Sequence, residues 1–193
     1  MSKFYAIKDD NNSIIVESWD EALKIIAEYN KPKYKSFKTK AEAQAFIDDV
    51  ILVDDVKEPK CYIDGSYDNN TGRYSFGGVL IIDGKEYTFK KAYEPDEFSS
   101  SRNVAGEIKG AAFIINYCVK NNINTLHIFY DYEGIENWYK GIWKANSVIA
   151  SSYVSYVDTI KDKINVVFHK VKSHTNNYYN DYADKLAKEA LGI

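Results

Sequence analysis

The chain of 193 residues is short of several things, and each shortage closes off a class of protein. It has 2 cysteines, Cys61 and Cys118, too few and too widely spaced for a disulfide framework or a thiolate metal site. They read as buried thiols of a reducing compartment. With 3 prolines and 10 glycines it is neither collagen-like nor of low complexity. No uncharged apolar run approaches the roughly 20 residues of a membrane span. Residues 1–10 carry Lys3, Lys8, Asp9 and Asp10 and lack the apolar stretch of a signal peptide. These absences predict a cytoplasmic globular protein with no membrane partner. An excess of one charge is missing too, since 25 Lys and Arg face 28 Asp and Glu. The composition therefore carries no strongly basic nucleic-acid footprint, although local clusters can supply one.

What is present is a soluble core composition, 45% hydrophobic and 27% charged, with 17 tyrosines as aromatic surface that also tolerates water. Its charge is unevenly spread. Residues 1–47 hold eight lysines against seven acids, and residues 60–193 hold equal numbers of bases and acids. Residues 48–59 hold five acids and one lysine and end in Pro59, which reads as an acidic linker between a small domain, 1–47, and a larger one, 60–193.

In the first segment, Lys3–Ile7 and Ser13–Val16 suit two strands joined by Asp9-Asp10-Asn11-Asn12. Ser18-Trp19-Asp20-Glu21 has the form of a capping box opening a helix, and Thr39-Lys40-Ala41-Glu42 opens a second. Between them, Lys31–Lys40 has five lysines and no acid, interleaved with Tyr34 and Phe37. The pattern is either a solvated loop and edge strand or a backbone-binding patch with aromatic partners.

The second segment predicts strands at Tyr62–Asp64, Tyr74–Ile82, Tyr87–Tyr93, Leu126–Tyr130 and Ile164–Val171. Helices are expected at Val104–Lys120, Gly134–Lys140, Val148–Ile160 and Asn177–Leu191. Asp83-Gly84 is a hairpin signal. Gly106 and Gly110, four apart, mark a close helix contact. The order implies an α/β fold, a mixed sheet with helices on its faces.

Four carboxylates fall at element ends. Asp64 is expected to end a strand, with Gly65 letting the chain bend; Glu107 lies near a helix start, Asp131 ends a later strand, and Asp184 lies on the last helix. Singly, each suits a cap or a surface position. If the two strands are neighbours, Asp64 and Asp131 meet, and clustered carboxylates are costly unless cations neutralise them.

Phe4-Tyr5-Ala6-Ile7, Ser18-Trp19-Asp20-Glu21 and Tyr34-Lys35-Ser36-Phe37 with Glu42-Ala43 resemble the small hybrid-binding (viroplasmin-like) domain that precedes many ribonucleases H. Tyr62-Ile63-Asp64-Gly65-Ser66, Arg102–Glu107, Phe129–Ile135, and Val171-Lys172-Ser173-His174 followed by Asn180–Asp184 resemble type 1 ribonuclease H. The resemblance implies a mixed five-stranded sheet flanked by helices and endonucleolytic cleavage of RNA in RNA–DNA hybrids, leaving 5′-phosphate and 3′-hydroxyl ends. It implies two Mg²⁺ ions per site, with Mn²⁺ as a substitute, held by Asp64, Glu107, Asp131 and Asp184. It assigns His174 to proton transfer or product release, and substrate contacts to Asn103, Asn70, Glu133, Asn180, Tyr5, Trp19 and Lys35. The partner is the hybrid itself, met by a monomer. An inactive binding module, or another nuclease or transposase of the same fold, stays open at this point; all four acids disfavour the first and the small N-terminal domain the second.

Overall fold

The computed structural model describes residues 3–9, 11–47, 58–171 and 178–193. The chain divides into two compact units, Met1–Val56 and Lys57–Ile193. The expected linker lies almost wholly outside the described residues, as does His174.

The first unit is a three-stranded antiparallel sheet in the order β2-β1-β3, formed by β1 (Phe4–Lys8), β2 (Ser13–Val16) and β3 (Lys33–Phe37). Alternation along β1 sends Tyr5 and Ile7 to one face and Phe4 and Ala6 to the other. Helix α1 (Trp19–Glu28) covers the first face, packing Ala22, Ile25 and Ile26 on Ile7 and Val16. Helix α2 (Lys40–Ile47) covers the second, packing Ala43 and Phe46 on Ala6 and Phe37. The capping box at Thr39 forms: Glu42 N donates to Thr39 Oγ1 at 3.2 Å, and Thr39 N donates to Glu42 Oε2 at 2.8 Å. The one expected at Ser18 does not, because the Ser18 side chain makes no cap bond, and α1 is held by its apolar face instead.

The second unit carries a five-stranded mixed sheet in the order β6-β5-β4-β7-β8. Its strands are β4 (Lys60–Tyr67), β5 (Tyr74–Ile82), β6 (Lys85–Tyr93), β7 (Thr125–Tyr130) and β8 (Asn165–Lys170). Strands β4, β5 and β6 form an antiparallel meander, and β7 and β8 extend it in parallel. Asp83 and Gly84 both have positive φ, 50° and 75°, the conformation a two-residue hairpin turn needs. One correction concerns β4. It does not end at Asp64 but runs three residues further, pairing Gly65 with Phe76 and Tyr67 with Tyr74.

Helices α3 (Asn103–Lys120), α4 (Gly134–Tyr139) and α5 (Val148–Asp158) share one apolar core with Cys61, Ile63, Leu80 and Ile128, and α6 (Tyr178–Leu191) packs on the strands β4 and β5. Backbones meet at glycines. A Cβ on Gly106 would fall 1.9 Å from the Ser75 carbonyl, and one on Gly77 would fall 2.4 Å from the backbone of both Ala183 and Ala187. Glycine at these places sets how closely α3 and α6 approach the sheet. Cys61 and Cys118 are buried free thiols, as expected. Trp138 belongs to the core, with Trp143 edge-on to it at 6.1 Å.

Candidate active site

The parallel pairing of β4 with β7 builds the site. Cys61 pairs with Ile128 and Tyr62 with Phe129. Continued by two residues, the same register sets Asp64 beside Asp131, which follows the last residue of β7. Glu107 comes from the second turn of α3 and reaches them because Gly65 is bare: a Cβ there would lie 2.9 Å from Glu107 Cγ. Asp64, Glu107 and Asp131 then offer ligand oxygens that all lie within 4.8 Å of one another.

Burial and like charge act together on this group. Glu107 is 2% exposed. Its burial, and then the charges of Asp131 and Asp64, push its pKa well above the usual carboxylate range. Glu107 Oε1 accepts from Asn103 Nδ2 at 3.2 Å, while Oε2 is buried without a hydrogen bond. Asp64 is raised to about 7, first by burial and then by Asp131; the Gly65 N–H, donating to Oδ1 at 2.7 Å, and Lys188 act the other way. Such a group fits a hard divalent cation, for its donors are all oxygen, its like charges repel, and Glu107 Oε2 is buried without a hydrogen bond.

Asp184 stands at the rim. Its charge acts on Asp64, yet its Oδ2 accepts from Lys188 Nζ at 2.7 Å, one turn along α6, and it is not among the three oxygens that converge. Asn180, one turn earlier, is 6% exposed. Asn103 opens α3 and orients Glu107. Asn70 lies exposed in the β4–β5 turn, its N–H donating to Asp68 Oδ1 at 2.9 Å. Glu133, at the start of α4, is ion-paired to Lys170 of β8. The other two histidines face each other: His127 Nδ1 and His169 Nε2 are 2.7 Å apart in stacked rings. Burial and its neighbour push His169 down to about 4.

In the N-terminal unit Tyr5, Trp19 and Tyr34 come together, with ring centroids 5.3 Å apart for Tyr5–Trp19 and 6.3 Å for Trp19–Tyr34. Trp19 is 43% and Tyr34 52% exposed. Tyr34, an aromatic of the Lys31–Lys40 stretch, joins this group because it pairs with Ile7 and so shares the face of Tyr5. Lys35 alternates to the other face, its Nζ 5.7 Å from the Phe37 ring.

Comparison with known proteins adds two family matches. Residues 57–192 match the RNase H family, and residues 3–47 match the Ribonuclease H1 N-terminal domain. The chain is 27% identical over 143 residues to Ribonuclease H of Chlorobium phaeobacteroides, covering 67% of this chain and 92% of that one. It is 25% identical over 149 residues to Ribonuclease H of Ehrlichia canis, covering 72% and 99%. Among solved structures, RNase H1 of Halobacterium salinarum matches with a TM-score of 0.58 at 20% identity, over 70% of this chain and 98% of that one. LC11-RNase H1, solved in complex with an RNA/DNA hybrid, matches with a TM-score of 0.55 at 15% identity, over 69% and 99%. At these identities the structural likenesses speak for the fold.

Proposed function

The chain belongs to the ribonuclease H family, and from that premise we propose that it hydrolyses the RNA strand of RNA–DNA hybrids by two-metal phosphodiester cleavage, leaving 5′-phosphate and 3′-hydroxyl ends. The observation that carries this reading is the convergence of Asp64, Glu107 and Asp131, Glu107 buried and the two Asp half-buried, near Asp184. The relative solved with a bound RNA/DNA hybrid supports the choice of substrate.

Asp64, Glu107, Asp131 and Asp184 are the residues that would hold Mg²⁺, or Mn²⁺ in its place. Bound there, the two ions would neutralise the cluster, activate a water and stabilise the leaving oxygen. The chain's own residues do the rest. Asn103 fixes Glu107 and stands where the 2′-hydroxyl of an RNA strand can be read, the group that separates RNA from DNA. Asn70, in the turn after β4, and Asn180, on α6, are further substrate contacts. Glu133 is a weaker contact, since Lys170 holds its carboxylate. His174 assists proton transfer or product release. In the first unit, Tyr5, Trp19 and Tyr34 form an aromatic platform for sugar and base; Lys35, on the other face of β3, is not part of that platform. The same reading makes the protein a cytoplasmic monomer.

Mapping the ends of cleaved RNA tests the chemistry. Fragments from a labelled hybrid should carry 5′-phosphate and 3′-hydroxyl, and Asp131→Asn should remove cleavage while leaving hybrid binding largely intact. Fragments ending in 3′-phosphate, or normal turnover by the variant, would contradict it.

A further inference from the structure

Among the described residues, Lys188 is a cation whose charge reaches the carboxylate group at Asp64. Ion pairs four residues apart on an exposed helix are ordinary and contribute little. This one differs in its position. Gly77 is the register partner of Asp64, and α6 lies directly on it: a Cβ at Gly77 would meet Ala183 O and Ala187 N, both at 2.4 Å. The residues one step on from those two contacts are Asp184 and Lys188. The segment that carries the ion pair is thus pressed onto the strand position beside Asp64. The charge of Lys188 is felt at Asp64, where it opposes the rise that burial, Asp131 and Asp184 cause. Its Nζ is 2.7 Å from Asp184 Oδ2, and Asp184 is the acid that does not join the convergent three. Lys185 and Lys90, the other α6-side lysines with recorded ion pairs, are both directed to Glu189.

We propose that Lys188 is a built-in counter-ion of the carboxylate site, which competes with a divalent cation for Asp184. This rests on the reading of the four acids as a metal site. With metal absent, the ammonium group neutralises part of the cluster and stabilises the fold. As the cation arrives, the same group repels it and competes for Asp184. Lys188 is therefore a positioning residue that trades metal affinity for stability of the metal-free protein, and it sets the metal concentration at which the site fills.

The test measures Mn²⁺ binding to the full chain by electron paramagnetic resonance or calorimetry, in the parent and in Lys188→Met and Lys188→Arg. It also measures thermal unfolding of each in chelator at pH 8. Lys188→Met should bind Mn²⁺ about tenfold more tightly, the order of change expected when one nearby positive charge is removed from a divalent-ion site in a water-like dielectric. It should unfold at a lower temperature than the parent in chelator and lose that deficit when Mn²⁺ is added. Lys188→Arg should stay close to the parent in both. A residue with a merely structural role would lower stability without raising affinity. Equal or weaker Mn²⁺ binding by Lys188→Met, with the parent binding normally, overturns the proposal. A parent protein that binds no Mn²⁺ overturns the metal site itself, a different and separately visible result.

Discussion

Gly65 and Glu107 occupy one space: a methyl group on Gly65 would fall 2.7 Å from the Glu107 backbone nitrogen and 2.2 Å from the Asn103 carbonyl oxygen. The neighbours are mostly backbone, so they cannot swing away as a side chain can. Gly65→Ala should therefore push α3 off the sheet, costing about 3 kcal/mol of stability and displacing Glu107 from the other carboxylates. Thermal unfolding and a cleavage assay check this. A variant as stable and as active as the parent would show that α3 is not clamped here.

The raised pKa of Asp64 gives a pH dependence with a definite sign. The folded protein holds the Asp64 proton up to about pH 7, whereas the unfolded chain releases it near 3.8. The stability this group contributes is present below the unfolded value and is lost as pH rises through about 7. Without metal the protein should thus be less stable at pH 8 than at pH 5 through this group. Asp64→Asn should remove much of the difference, by roughly 2 kcal/mol, below the full shift because the site is partly open to solvent. It should also abolish cleavage. Thermal melts in chelator at both pH values decide this, and an unchanged difference in the variant would contradict the account.

Much of this site was legible in the sequence because its geometry follows from element type. Strands ending at Asp64 and Asp131, if neighbours, must bring both acids to one place, and β4 and β7 are neighbours. What sequence misjudged was tertiary. Gly65 after Asp64 has the local chemistry of a turn, yet the strand continues and the glycine serves a helix more than 35 residues away in the chain. Ser18 has the form of a cap that its side chain does not make, whereas Thr39 and Glu42, with the same spacing, do. The motif groups Asp184 with the other three acids, and its spacing of four from Lys188 already allows the ion pair; that the pair lies against the strand position beside Asp64 is a tertiary fact.

The aromatic group of the N-terminal unit should bind hybrid without taking part in chemistry. Trp19→Ala and Tyr34→Ala should each weaken hybrid affinity by about tenfold, within the range of stacking on one aromatic side chain, and lower processivity, with cleavage of saturating hybrid retained. A gel-shift titration checks both. Unchanged affinity in both variants would remove this unit from substrate binding.

Arg102 precedes α3 with φ 52° and ψ −130°, a region that suits glycine and strains other residues. Arg102→Gly should relieve that strain and raise stability by about 1 kcal/mol. A lower melting temperature would show that the arginine side chain stabilises the fold more than its backbone strains it.

The most direct measurement of the central claim offers the protein labelled RNA–DNA hybrid, double-stranded RNA and single-stranded RNA, each with Mg²⁺ and with chelator. The account predicts cleavage of the hybrid's RNA strand alone, only with metal. Cleavage that persists in chelator, or that takes double-stranded RNA as readily as hybrid, would contradict it.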